Sequence, residues 1–496
     1  MRNFLPAVLS LAAACAALPG QTVYYPGAHW RTAAPESQGI DSNALAAALD
    51  QVTEKHLGVH SLLVIRHGYV VADASFFPYA TSVPHDLASV TKTITSTLTG
   101  IAVGKGLVKL DDPLLSFFPG QAPSDPMAKQ GITIGDLVRM ESGLDCGYAP
   151  GERELEQMKR SPDWVGFALG LPMKYDPGTH SAYCSPGYHL LGSALAAAAR
   201  QSERDFGMQA LFHPIGIHEV LWATDPQGRN HGWGDCHLFP ADLARIGYLF
   251  LHDGLWNGRQ IVPRSWVALS TAPATAPRGE AGGMGYEWNA SQGANGRQYG
   301  GTGRGGQSLM VWPDLDMIVV SMAGGNTGQI VQWVRQAVKS GTALPADPDA
   351  VRRLQAKIAA AARPPAPEPA AALPAVAQSV SGAVYEFPVN PSRLDSLSLV
   401  FKSQREASVT VKYYGEPLTF PVGLDGVYRL SPGPMGLPGG AWGKWTTGRE
   451  FLLDLNFAAN INHYTLAILF QGDHIEVAAD EASGLIRNGH LIGTRK

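Results

Sequence analysis

Ser89 and Lys92 are the residues whose types and spacing can do chemistry together. A serine hydroxyl is a poor nucleophile until a neighbouring base takes its proton. An amine crowded by apolar neighbours is pushed toward its neutral form and can serve as that base. Residues i and i+3 share a helix face. A helix opening at Ser89 therefore sets the lysine amine beside the serine hydroxyl. Ser89-Val90-Thr91-Lys92 is the only Ser-x-x-Lys in the chain. Alone it is a weak signal, because a capping serine followed by a surface lysine has the same spacing.

The elements around the pair are readable from periodicity. Residues 61–76 alternate like two strands joined at His67-Gly68. Ser89 then opens SVTKTITSTLTGIAVGKG, which reads as a helix. Residues 42–57 form an amphipathic helix with Ser42 at its cap. Short helices are expected at 132–141, 241–252 and 328–340, and strand character at 284–288. The strongest hairpin is 306–323, turning at Pro313-Asp314. Strand groups at both ends of a long helical stretch predict an α+β fold: an antiparallel sheet built from both ends, flanked by helices, with a helical lobe between.

Length and composition narrow the class. The chain has 496 residues, 16% of them charged, and a net charge of −4. That length suits more than one domain, and that charge gives no footing for nucleic acid or an anionic membrane surface. Residues 1–20 read as a signal peptide: one arginine, an apolar run from Phe4 to Leu18, then small residues, with cleavage between Ala14 and Gly20. Lipidation of Cys15 is the alternative. No other segment reaches the ~20 apolar residues of a membrane helix, so an exported, periplasmic or secreted protein without a transmembrane segment is expected. Export leaves Cys146, Cys184 and Cys236, enough for one disulfide whose pairing the sequence leaves open.

Residues 21–342 read as one domain. Residues 343–379, rich in Ala and Pro, read as a semi-rigid linker with a helix at 347–362. Residues 380–496 read as a separate small β domain, a barrel or sandwich, from short strands such as SLSLVFKS, ASVTVKYY, FLLDLNF, HYTLAILF and HIEVAA.

Two further clusters accompany the Ser-Lys pair. Tyr183-Cys184-Ser185 precedes Pro186-Gly187-Tyr188-His189-Leu190-Leu191-Gly192, and Tyr299-Gly300-Gly301-Thr302-Gly303-Arg304-Gly305-Gly306-Gln307 opens the strong hairpin. With Ser89 and Lys92, in this order, they resemble the serine β-lactamase and penicillin-binding superfamily. The likeness is to its class C-like branch, with family VIII esterases and 6-aminohexanoate-dimer hydrolase, over about residues 35–340. The segments from Ile132 to Leu144 and from Trp233 to Arg245 are similar to further family signatures, as is the run from Leu255 to Pro263.

The resemblance implies roles by position. Ser89 is the nucleophile, Lys92 the neighbouring base or proton shuttle, and Tyr183 a phenol relaying a proton to the leaving group. A phenol titrates near about 10 in water, and nearby ammonium groups would lower it. Which of Lys92 and Tyr183 takes the serine proton stays open. The oxyanion hole is expected from the backbone N–H groups of Ser89 and Arg304. Ser185, Gly301, Thr302 and Gly303 are expected at the substrate, and His237 either lines the pocket or is structural. Cys184 is expected to be structural, paired with Cys236. Trp164, Trp222, Trp233 and Trp288 wall either a pocket or the core.

Two departures bear on substrate. Ser185 stands where β-lactamases of this branch carry an asparagine, as in the nylon-oligomer hydrolases. Gly301 stands where they carry a lysine that holds a substrate carboxylate, a loss that Arg304 could partly make good. The resemblance thus implies a serine hydrolase acting on small-molecule esters or linear amides through an acyl-enzyme, with no metal or organic cofactor. The alternatives are a β-lactamase or D-Ala-D-Ala peptidase, and a catalytically inactive binding module.

Overall fold

The structure is a computed structural model that describes residues 23–147, 152–273, 286–293, 296–390, 392, 394–413 and 415–496. The expected leader lies outside these residues. Among the described residues no helix is long and apolar enough to cross a membrane.

A seven-stranded sheet forms the first layer. Its order is Arg31–Thr32, Tyr69–Ser75, Val59–Arg66, Met317–Ala323, Gln307–Trp312, Gly296–Gly303 and Ser291–Gly293. Only the Arg31–Thr32 edge runs parallel to its neighbour. Early and late strands meet at the centre, where Ile65 faces Ile318 and Leu63 faces Val320. Strand side chains alternate between faces. Leu62 and Val64 accordingly join Leu45, Leu49, Val319, Ile330 and Leu354 on one side of the sheet. Leu63 and Ile65 join Val90, Ile94, Leu98, Ile246 and Val320 on the other. Helices Ser42–Glu54, Ile330–Gln336 and Pro348–Ala361 cover the first face. Val90–Gly104 and Pro240–Leu251 cover the second.

Local details adjust several expectations. Asp41, not Ser42, caps the first helix, accepting the N–H groups of Asn43 and Ala44. The Ser42 hydroxyl is instead bound to the Glu36 carboxylate. The 61–76 hairpin turns at His67 and Gly68, with φ of +50° and +71°. No strand forms at 286–288, because Tyr286 and Glu287 are left-handed at φ +51° and +62°; 284 and 285 lie outside the described residues. Cys184 is bonded to Cys146 and not to Cys236, which is a free buried thiol. The four tryptophans are core residues; Trp288, for instance, stacks on Phe250 at 3.6 Å.

The C-terminal unit is a ten-stranded barrel. Its sheet closes where Val422 of Glu416–Gly423 pairs with Ala441 of Pro438–Trp445. Tyr385, Leu397, Val409, Phe420, Phe451, Leu453, Ile468 and Val477 fill the interior. Among the described residues the barrel interior is thus packed with side chains.

Candidate active site

The helix that Ser89 opens is held by packing more than by propensity. Val90–Gly104 is rich in threonine, a poor helix former, yet every residue from Val90 to Ala102 is buried. Thr97 and Thr99 donate their hydroxyls back to the Thr93 and Thr95 carbonyls. Ser89 occupies the N-cap position, half-buried. The turn before it is strained: Ala88 sits at φ +46°, a region costing an L-residue roughly 1–2 kcal/mol. The buried Asp86 carboxylate holds that turn by accepting the Ala88 N–H at 2.8 Å.

Lys92 projects one turn along and is fully buried. Its Nζ donates to Ser89 Oγ at 3.2 Å and to the Trp233 carbonyl at 2.9 Å. Tyr183 stands just before the helix Ser185–Ala199, whose N-cap is Cys184. The disulfide fastens this entry to Cys146. The Tyr183 hydroxyl donates to Ser89 Oγ at 2.7 Å, and Lys92 Nζ lies 4.7 Å from the centre of its ring. The amine from the next helical turn and the phenol from a distant segment thus meet at the Ser89 oxygen.

The electrostatics reverse one expectation. The Tyr183 phenol is pushed well above its ordinary value, first by burial, then by the Glu287 and Glu152 carboxylates. Its hydrogen bonds to Ser89 and Ser185 oppose the shift without cancelling it. The Tyr183 phenol is thus held in its protonated form at neutral pH. Burial raises the Glu287 carboxyl to about 7, opposed by Lys92 and reinforced by Glu152. Neither acid was singled out in the sequence. Glu152 stands there in the charged run Glu152-Arg153-Glu154. Glu287, between Tyr286 and Trp288, carried the only available signal: an acid inside an aromatic stretch.

The third cluster lies against Ser89. Gly303 packs so closely that an added Cβ would stand 3.0 Å from the Ser89 nitrogen. At Gly301 an added Cβ would stand 2.5 Å from Thr93 Oγ1 and 3.1 Å from Val90. Any side chain there, a lysine included, would push on the helix that Ser89 opens. Arg304 does not substitute for that lysine. Its guanidinium turns to the barrel, meeting Ser483 and Asn462, the latter at 3.1 Å. Thr302 is exposed on the strand next to these glycines. Ser185 is buried with its hydroxyl on the Glu152 carboxylate at 2.7 Å. His237 is only 2% exposed, and its ring nitrogens meet Asn460 Oδ1 and the Asp235 carbonyl. Those partners make it part of the junction with the barrel rather than of a substrate surface.

Comparison with known proteins bears on the family and the fold. The family model described as beta-lactamase matches residues 45–334, more than half of the chain. Penicillin-binding protein 4 of Amycolatopsis lactamdurans is 27% identical over 232 residues, 40% of this chain and 58% of that protein. The 6-aminohexanoate-dimer hydrolase of Paenarthrobacter ureafaciens is 24% identical over 347 residues, 63% of this chain and 84% of that one. The chain thus spans little more than half the length of the first relative and most of the second. Among solved structures, EstCE1, a hydrolase with promiscuous acyltransferase activity, has the same fold at a TM-score of 0.50. It is 16% identical, and the likeness covers 60% of this chain and 99% of that one. This chain belongs to the beta-lactamase family of serine hydrolases.

Proposed function

We propose that the protein is an exported serine hydrolase that cleaves carboxylic esters or linear amides through an acyl-enzyme on Ser89. The observation that carries this reading is the convergence of Tyr183 OH at 2.7 Å and Lys92 Nζ at 3.2 Å on Ser89 Oγ. Lys92, in its neutral form, accepts the Ser89 proton as Oγ bonds to the substrate carbonyl carbon. The carbonyl oxygen becomes an oxyanion facing the backbone N–H groups of Ser89 and Arg304. As the carbonyl re-forms and the leaving group departs, Tyr183 gives that group its proton and recovers one from the Lys92 ammonium. Water then repeats the sequence on the acyl-enzyme and frees the acid. The raised phenol supports this division of labour, since a group kept protonated is suited to donating.

The surroundings support substrates without a carboxylate at the β-lactam position. Gly301 has no room for a cationic side chain, and the Arg304 guanidinium is engaged elsewhere. Glu287 and Glu152 near Tyr183 disfavour a second anion. A panel of p-nitrophenyl esters, linear amide oligomers, D-amino-acid amides and nitrocefin tests both parts. Ester or amide turnover that vanishes in Ser89→Ala, with the fold retained, is expected. Unchanged turnover in Ser89→Ala overturns the mechanism. Faster hydrolysis of nitrocefin than of every ester and amide overturns the substrate class.

A further inference from the structure

Two turns of the barrel end beside the two backbone segments that would bind the oxyanion. The first is 457–462. The Ala459 carbonyl accepts the Asp86 N–H at 2.9 Å, and the Asp86 carboxylate in turn holds the strained Ala88 that precedes Ser89. Asn460 meets the ring of His237, which pairs in register with Asp86. Ile461 is wedged against Gly305 and Gly324, where its atoms would lie 2.3 and 2.9 Å from an added Cβ. The second turn is 481–483. Its Ser483 hydroxyl, with Asn462 from the first turn, holds the Arg304 guanidinium. The fully buried Glu481 carboxylate lies 3.6 Å from the same group.

Gly303 precedes Arg304, and Gly305 and Gly306 follow at φ +76° and +93°, so backbone preference alone does not fix this strand end. The catalytic unit holds its backbone, through the Gln307 amide on the Arg304 carbonyl at 3.2 Å and the Gly325 N–H on the Gly305 carbonyl at 3.0 Å, and the barrel holds the Arg304 side chain. Oxyanion stabilisation depends on donors placed at about 2.7–3.1 Å from the developing charge. A displacement of about 1 Å is worth on the order of a hundredfold in rate.

We propose that the C-terminal barrel sets the oxyanion hole. Asn462, Ser483 and Glu481 position Arg304, and the Ala459 carbonyl positions Asp86 and, through it, Ser89. These are positioning residues, touching no substrate. The inference rests on the acyl-enzyme reading above, and the test separates the two. Arg304→Ala keeps the backbone N–H of residue 304 and removes its link to the barrel, together with a charge that acts on Asp86. Asn462→Ala cuts the same link from the barrel side.

In the full-length protein each substitution should lower kcat by about tenfold to a hundredfold. KM should stay within about threefold, because the loss falls on the transition state. The double variant should be little worse than either single one, since both sever one connection. If Arg304→Ala does not fold, Asn462→Ala and Ser483→Ala carry the test. Wild-type kcat in the folded variants, or a change confined to KM, overturns the inference. Ser89→Ala measured beside them keeps the failures apart. Turnover surviving there defeats the acyl-enzyme reading itself, whereas its loss there with unchanged Arg304→Ala defeats only the role of the barrel.

Discussion

Tyr183 and Glu287 are where residue-level chemistry departs from what the sequence signalled. The Ser-x-x-Lys spacing and the Tyr183 cluster were legible because each is a local pattern, and all three groups meet. The sign of the phenol shift was not legible. It depends on Glu152 and Glu287, which sit far from each other in sequence and beside Tyr183 in space. Glu287 titrates at about 7, so above that pH it carries a negative charge close to Lys92. That charge favours the ammonium form and delays the deprotonation the base needs. Glu287→Gln should therefore move the acidic limb of the kcat/KM profile to lower pH. An unmoved limb, with the fold intact, would mean that Glu287 does not tune Lys92.

At the scale of elements, long periodic segments were readable and special backbone positions were not. Strands Val59–Arg66, Tyr69–Ser75 and Met317–Ala323 are continuous or alternating apolar runs, and they form as expected. The 286–288 segment has aromatic strand composition, but two left-handed residues turn it. Barrel strands Glu416–Gly423 and Pro438–Trp445 escaped notice because prolines and glycines interrupt them. The nucleophile helix also hides an acid. Thr95 donates to Glu203, a carboxyl that burial raises from 4.5 to about 8. The folded chain thus binds this proton more tightly than the unfolded chain does. The stability it confers is full below about pH 4.5 and is lost as pH rises through 8. Glu203→Gln removes that dependence. Its thermal midpoint should exceed that of the parent by roughly 3–6 °C at pH 9 and match it at pH 5. An equal gain at both pH values would contradict the assignment.

At the scale of the molecule, the β-rich C-terminal unit was legible as a separate composition, but its docking was not. Part of the docking runs through single turns, 457–462 and 481–483, whose sequences carry no catalytic pattern. Ala459 is fully buried and packs with Leu437 and Tyr79, which joins the barrel to the catalytic unit through an apolar seam. A long cation there cannot be accommodated without parting the two units. Ala459→Arg should split a single thermal transition into two, and ester turnover should fall by about tenfold or more. Retention of one transition at the parental temperature, with full activity, would show that the seam is dispensable.

Mass spectrometry of protein quenched during turnover of a p-nitrophenyl ester tests the central claim most directly. The acyl mass should sit on the peptide containing Ser89 and be missing from Ser89→Ala. Continued turnover with that peptide unmodified, or an acyl group trapped on another residue, would contradict it.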